Sequence, residues 1–301
     1  MNDKHTGTKT SRFGTTSRIS HDSSRYYDAR LYSELSMKDE KMVGEDNKFP
    51  EEFKNTIIHG TSENMKEIPD NSLHLMVTSP PYNASKEYDQ DLSLHEYLKM
   101  LFNVFSETYR VLVNGGRACI NVANLGRRPY IPLSDYISSM MEEIGFLMRG
   151  EIIWNKGAGA GVSMAWGSWK SASNPVLRDV HEYILIFSKG SFKRSKAREQ
   201  KSTIEKDQFM EWTKSVWTMN PESARKVGHP APFPVELPHR LIQLYTFTND
   251  IVLDPFMGSG TTAIASINSE RFYIGYEIDP EYVKLAEERI APFKNQMRHD
   301  T

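Results

Sequence analysis

Ile251-Val252-Leu253-Asp254-Pro255-Phe256-Met257-Gly258-Ser259-Gly260-Thr261-Thr262 reads as an apolar strand, an acid, a glycine-rich turn and the start of a helix. Glycines allow positive φ and a close approach of backbone to a ligand. A lone Gly-x-Gly is equally a tight turn with a capping acid. Glu277 shifts that balance, because it closes the next apolar run, Tyr273–Tyr276, 23 positions beyond Asp254. An acid about 20 residues on is the usual ribose partner in a nucleotide-binding βαβ unit. Two acids would repel a phosphate, and they suit a ligand with a ribose and a positive charge. No lysine follows the second glycine, so the turn is not a Walker loop. Too few residues follow to finish a sheet. The missing strands must come from residues 55–190, which predicts a permuted order of sheet parts.

Working outward, Thr56–His59 and Leu73–Thr78 read as strands, with a helical turn near Glu63–Ile68 between them. Apolar spacing predicts a helix over Leu94–Leu112, closed by Asn114-Gly115-Gly116. Ala118–Val122, Glu151–Trp154 and Tyr183–Phe187 read as strands, and Leu133–Ile144 and Val235–Tyr245 as helices. Further helices start at Thr261 and Glu281. This alternation predicts an α/β fold with a mixed, mostly parallel twisted sheet and helices on both faces.

The second informative stretch is Thr78-Ser79-Pro80-Pro81-Tyr82-Asn83. Two prolines cannot donate backbone hydrogen bonds, so the strand must stop there. Their carbonyls and the Ser79 hydroxyl remain as acceptors, and Tyr82 adds a flat face. Such a loop could take both hydrogens of an exocyclic amine while stacking on its ring. An isolated Pro-Pro-Tyr is otherwise a rigid loop with a surface tyrosine.

Composition sets the limits. The chain has 301 residues, 39% hydrophobic and 25% charged, with formal net charge −2. That describes a globular protein with a real core. No apolar run approaches a membrane span, and the N-terminal residues have no apolar core of a secretory signal. Cys119 is the only cysteine. It excludes internal disulfides, fits a reducing cytoplasm and reads as a core residue. His181, His229 and His239 lack metal-ligand spacing, so no metal is expected. Four regions are expected. Residues 1–48 are polar and basic, partly disordered; 49–188 form a catalytic half; 189–228 an insert; and 229–301 the nucleotide half. The insert holds ten basic residues against five acids.

Together the Ser79–Asn83 and Asp254–Thr262 motifs, in that order, resemble the β group of DNA amino-methyltransferases. The resemblance runs from about Thr56 to Ile290. It includes Asn114–Gly116, Glu151–Lys156, His181–Leu185 and the segment His229–Leu237. It implies a Rossmann-like methyltransferase fold with permuted motifs and S-adenosyl-L-methionine as cofactor. Asp254, Pro255, Phe256, Gly258, Ser259, Gly260 and Thr261 would line the cofactor's methionine part. Glu277 would bind its ribose, Ile278 would pack on its adenine, and His229 and Phe233 would complete the pocket. The family usually has Gly-Asp after the first strand; here Gly60-Thr61 stands there, leaving that contact to Thr61 or Ser62. Ser79, Pro80, Pro81 and Tyr82 would hold the target base.

The expected reaction moves a methyl group to an exocyclic amine of a base flipped from double-stranded DNA. Ser before Pro-Pro-Tyr is commoner in the cytosine-N4 enzymes of the family, so cytosine N4 is expected, with adenine N6 as the alternative. RNA or a protein amide as substrate, and an inactive nucleic-acid-binding module, are more distant readings. Two regions could reach DNA. The insert supplies Lys193, Arg194, Lys196 and Arg198, and the loop Gly157–Arg178 supplies Lys170, Asn174 and Arg178, with Asn83 beside the base. Trp166 and Trp169 in that loop could equally be packing. A homodimer and a cognate restriction endonuclease acting separately on the same site are expected by analogy.

Overall fold

In the computed structural model the described residues are 30, 45–81, 92–126, 128–157, 166–194, 199–223, 227 and 233–294. Within residues 42–301, a single unit, eight strands form one sheet. The strands are β1 Thr56–His59, β2 Leu73–Thr78, β3 Leu112–Val122, β4 Phe146–Asn155, β5 His181–Lys189, β6 Val216–Thr218, β7 Ile251–Asp254 and β8 Phe272–Glu277. Their order is β1-β8-β7-β2-β3-β5-β4-β6. The two late strands therefore lie between β1 and β2, as the permuted reading requires. All run parallel except β5, which is antiparallel to both β3 and β4.

Helices α1 Leu94–Val111 and α2 Leu133–Ile144 cover one face. Ser93 opens α1 with a capping box: its hydroxyl accepts from Glu96 N while Glu96 Oε2 accepts from Ser93 N. Such a box satisfies two orphan donors of the first turn. The apolar stripe Tyr97, Leu101, Val104, Phe105 then faces Ala118, Ile120, Leu185 and Phe187 of the sheet. Further helices are the short α3, Lys206–Trp212, and α4 Glu236–Tyr245, α5 Thr261–Asn268 and α6 Pro280–Lys294. Leu237, Leu241 and Ile242 of α4 cover the other face over Leu75, Val77, Cys119, Ile184 and Ile186. Cys119 is a core residue, wholly buried.

Three expectations change. The Asn114–Gly116 turn lies inside β3. Between Leu73/Leu112 and Leu75/Arg117 the pairing absorbs extra residues of β3. Gly115 sits there at φ +74, where a Cβ would meet Lys193 O at 2.6 Å, so the turn chemistry serves a bulge and not a helix end. Residues 63–68 form turns instead of a helix, with Met65 and Ile68 buried. The basic segment 189–228 is not wholly outside the sheet. Its Val216–Thr218 pairs with Ile153–Asn155 as the edge strand β6, and Trp217 is buried. A three-residue strand in a charged context leaves little periodicity to read.

Candidate active site

The strand order itself locates a crevice. From β7 the chain goes through α5 to β8; from β2 it goes through α1 to β3, on the opposite side. Ligands of open α/β sheets bind at such a switch point, beyond the carboxyl ends of the strands. Both sequence motifs end there. The β2–β7 register pairs Leu75 with Val252 and Met76 with Leu253, so Thr78-Ser79 and Asp254 leave the sheet side by side.

Asp254 joins the two motifs. Its Oδ1 accepts from Thr78 Oγ1 at 2.7 Å and from Phe256 N at 3.1 Å, and its Oδ2 accepts from Thr262 Oγ1 at 2.6 Å. The residue is 1% exposed. Burial pushes its carboxyl up to about 6; the hydroxyl and amide donors oppose that shift, and the charge of Glu277 adds to it. Burial also raises Glu277, whose Oε2 accepts from Gly258 N at 2.8 Å and Oε1 from Asp279 N at 3.0 Å. Asp254 thus braces the loops from beneath, while half-buried Glu277 lies at the turn.

The glycine turn has a steric reason. Gly260 has φ +80, and a Cβ there would lie 2.9 Å from Ile290 Cδ1 and 3.1 Å from Ala286 Cβ of α6. The turn therefore packs directly under α6. Arg289 of the same helix donates to Ser259 O and, at 3.4 Å, to Thr261 Oγ1. Pro255 is tied to the loop after β1, since Ser62 Oγ donates to its carbonyl at 2.8 Å. At the Gly60-Thr61 departure, buried Ser62 makes this link, while exposed Thr61 accepts from Glu63 N. Ile278 is exposed at the same end, and its carbonyl lies 3.1 Å from His59 Nε2. Phe233 packs against the α4 cluster.

In the loop after β2, Ser79 and Pro81 are half-buried and Pro80 is buried. Tyr82, Asn83, Lys196, Arg198 and His229 lie outside the described residues. Ser79 has neighbours that the motif reading missed. Asn121 Nδ2 lies 3.4 Å from Ser79 Oγ and donates to Glu182 Oε2 at 2.6 Å. Glu182 Oε1 in turn pairs with Lys156 Nζ at 2.5 Å. Asn121 and Glu182 are buried. The available signal was a polar residue at the end of an apolar strand (Asn121) and an acid heading another (Glu182).

The expected DNA-contacting residues separate. Lys170, Asn174 and Arg178 stand exposed on the loop that joins β4 to β5 at the Ser79 end of the sheet. Arg178 stacks 3.8 Å from the Trp166 ring centroid, Trp166 meets Trp169 edge-on at 5.2 Å, and Arg128 donates to Asn174 Oδ1. Lys193 and Arg194 follow β5 at the other end of the sheet. There Arg194 forms a paired contact with buried Asp250, just before β7. That ion pair engages Arg194 within the fold.

Comparison with known proteins agrees with this arrangement. Residues 73–288 match the family model N6/N4 methyltransferase, described as DNA methylase. The Type II methyltransferase M.MjaI of Methanocaldococcus jannaschii is 34% identical over 278 residues, 78% of this chain and 90% of the relative. The Type II methyltransferase M.BglII of Bacillus subtilis is 31% identical over 79% of this chain and 69% of its own length. TTHA0409 of Thermus thermophilus, crystallised in complex with S-adenosyl-L-methionine, superposes with TM-score 0.65 at 32% identity, covering 79% of this chain and 93% of that one. PvuII DNA methyltransferase, cytosine-N4-specific, shares the fold at TM-score 0.62 and 20% identity, over 81% and 92% of the two chains. The chain belongs to the N6/N4 DNA methylase family.

Proposed function

We propose that this protein transfers the methyl group of S-adenosyl-L-methionine to the exocyclic N4 amine of a cytosine flipped out of duplex DNA. The observation that carries the reading is the Thr78–Asp254 hydrogen bond. It sets the amine-binding loop and the glycine turn side by side at one switch point.

The residues present suit the cofactor. Two carboxyls whose pKa is raised by burial face the same turn, an environment that favours a cationic ligand. A carboxylate has about four lone-pair sites, so beside the amides of Gly258, Ile278 and Asp279, Glu277 keeps capacity for a ribose hydroxyl. Gly258, Gly260 and the Phe256 backbone would line the methionine part, Ser62 would hold the loop beside it, and Ile278 would pack on the adenine. When bound, the cofactor supplies an electrophilic methyl group on a sulfonium.

The chain's own contribution is positioning. An aromatic amine shares its lone pair with the ring. Acceptors at Ser79 Oγ and the Pro80 carbonyl would draw the amine hydrogens out of plane and aim the lone pair. Holding reactants in a near-attack arrangement is worth several kcal/mol of barrier, up to ~7–11 in favourable systems. The amine nitrogen forms its bond to the methyl carbon as the carbon–sulfur bond breaks, and the nitrogen then releases a proton to solvent. No strong base is required.

Flipping costs roughly a few kcal/mol. Stacking on Tyr82 would return about 1–3 kcal/mol. Lys170 and Arg178, on the rim at the Ser79 end, are the proposed duplex contacts, with Asn174 held by Arg128 between them. Ser79 before Pro-Pro-Tyr is the reason for preferring cytosine N4 to adenine N6. The relatives named Type II methyltransferases support a separate endonuclease as functional partner. The direct test offers labelled cofactor with duplex DNA, structured RNA and protein in parallel. Label should enter duplex DNA; label confined to RNA or protein would overturn the substrate class.

A further inference from the structure

The sheet register makes Ser79 one of three polar residues in a row. Thr78 pairs with Ile120, so Ser79 adjoins Asn121. Asn121 pairs with Ile184 across the antiparallel β3–β5 ladder, and Glu182, two residues before Ile184, shares its face. Directly below them on that face lie Val77, Cys119 and Ile184, all in the apolar cluster under α4. Through Val77, Cys119 and Ile184 the face is apolar; it turns polar at the catalytic end, as it does at the far end where Arg117 pairs with Ser188. Because β5 is the sole antiparallel strand among the described residues, its first residues, not its last, arrive there. Lys156, just past β4, closes the row against Glu182 at 2.5 Å.

The geometry points to Glu182 as a positioning residue for Ser79, acting through Asn121, with Lys156 as its counter-ion. This inference rests on the amine-methylation reading. The Glu182 carboxylate can only accept, so it fixes the Asn121 amide with Nδ2 turned inward. The same Nδ2 lies 3.4 Å from Ser79 Oγ. A donor at that distance orients one lone pair of the hydroxyl toward Asn121; a hydroxyl has two, and the second would accept from the target amine. A neutral Gln at 182 could present either its oxygen or its nitrogen. The Asn121 amide would then be free to flip and turn Oδ1 toward the serine. Lys156 keeps the buried carboxylate paired, without which a lone buried charge would be costly.

The test is a double-mutant cycle on the full chain with Glu182→Gln, Ser79→Ala and the double variant, assayed beside wild type on duplex DNA. Turnover at saturating cofactor and DNA is measured with the dissociation constants of both ligands. Glu182→Gln should lower turnover by about 10- to 100-fold, as misplacement of a reacting group does, with both dissociation constants within about twofold. In the Ser79→Ala background the Gln substitution should add almost nothing, because the two act as one unit. Losses that multiply in the double variant, or wild-type turnover in Glu182→Gln, would overturn the proposal while leaving the methylation reading intact. A melting curve on each variant separates misfolding, and Glu182→Asp, which keeps the charge, should recover part of the turnover that Gln loses. Absence of transfer by the wild-type protein would overturn both readings together.

Discussion

Replacing Asp254 by Asn should make the protein more stable at neutral pH and a poorer cofactor binder. Asp254 is buried, and its carboxyl is displaced from 3.8 to about 6, chiefly by loss of solvent. A folded-state value above the unfolded one means that the native state binds more protons between those limits. Stability is therefore highest below the unfolded value, falls as pH rises through about 4 to 6, and stays at the lower level above. A difference of roughly two units at ~1.4 kcal/mol each is about 3 kcal/mol. Asn keeps the shape and one acceptor, and the Thr78 and Thr262 hydroxyls can rotate to accept from its amide. Thermal unfolding of the two proteins at about pH 7.5 should differ by roughly 6–12 °C in favour of Asp254→Asn, given ~2–4 °C per kcal/mol for a chain of this size. Near pH 2.5 the difference should vanish, because the carboxyl is then neutral in both states. Titration calorimetry should show the variant binding S-adenosyl-L-methionine about tenfold or more weakly, as the opposing charge is lost. A variant that is destabilised at neutral pH, or a stability gap independent of pH, would refute the description of Asp254 as a carboxylate destabilised by burial.

Two further outcomes follow from the same geometry. Gly260→Ala forces a side chain into positive φ and against Ile290 and Ala286; it should cost about 1–3 kcal/mol in urea unfolding and weaken cofactor binding, whereas wild-type stability would contradict the packing of the turn under α6. Arg178→Ala removes an exposed guanidinium stacked on Trp166; duplex affinity should fall about equally on all sequences and the salt-dependence slope by about 1, while an unchanged slope would remove Arg178 from the phosphate contacts.

The parts of the site written in consecutive residues were legible. The strand–acid–glycine–helix stretch at 251–262 and the Ser79-Pro80-Pro81 stop each carry their geometry locally, and the shortage of chain after Glu277 already implied the permuted sheet. The polar row Asn121–Glu182–Lys156 was not legible, because its members are 35, 61 and 26 positions apart in pairs. They meet only once β5 is inserted antiparallel between β3 and β4. Thr78 and Thr262 looked like ordinary strand-end and helix-start residues until Asp254 was seen to accept from both. Arg194 looked like a phosphate ligand from local charge density. Its pairing with Asp250 depends on where β5 and β7 end in space, which composition does not encode. The same holds for β6, whose single buried residue, Trp217, is fixed by the neighbouring β4.

The central claim is that Ser79, whose neighbour Thr78 is held beside the glycine turn by Asp254, presents a cytosine amine to a methyl donor. The most direct measurement incubates the purified protein with unmethylated duplex DNA and labelled S-adenosyl-L-methionine, digests the DNA to nucleosides and identifies the labelled product by mass spectrometry. N4-methylcytosine is the predicted product. N6-methyladenine would contradict the assignment of the target amine, and a labelled C5-methylcytosine would contradict the mechanism itself.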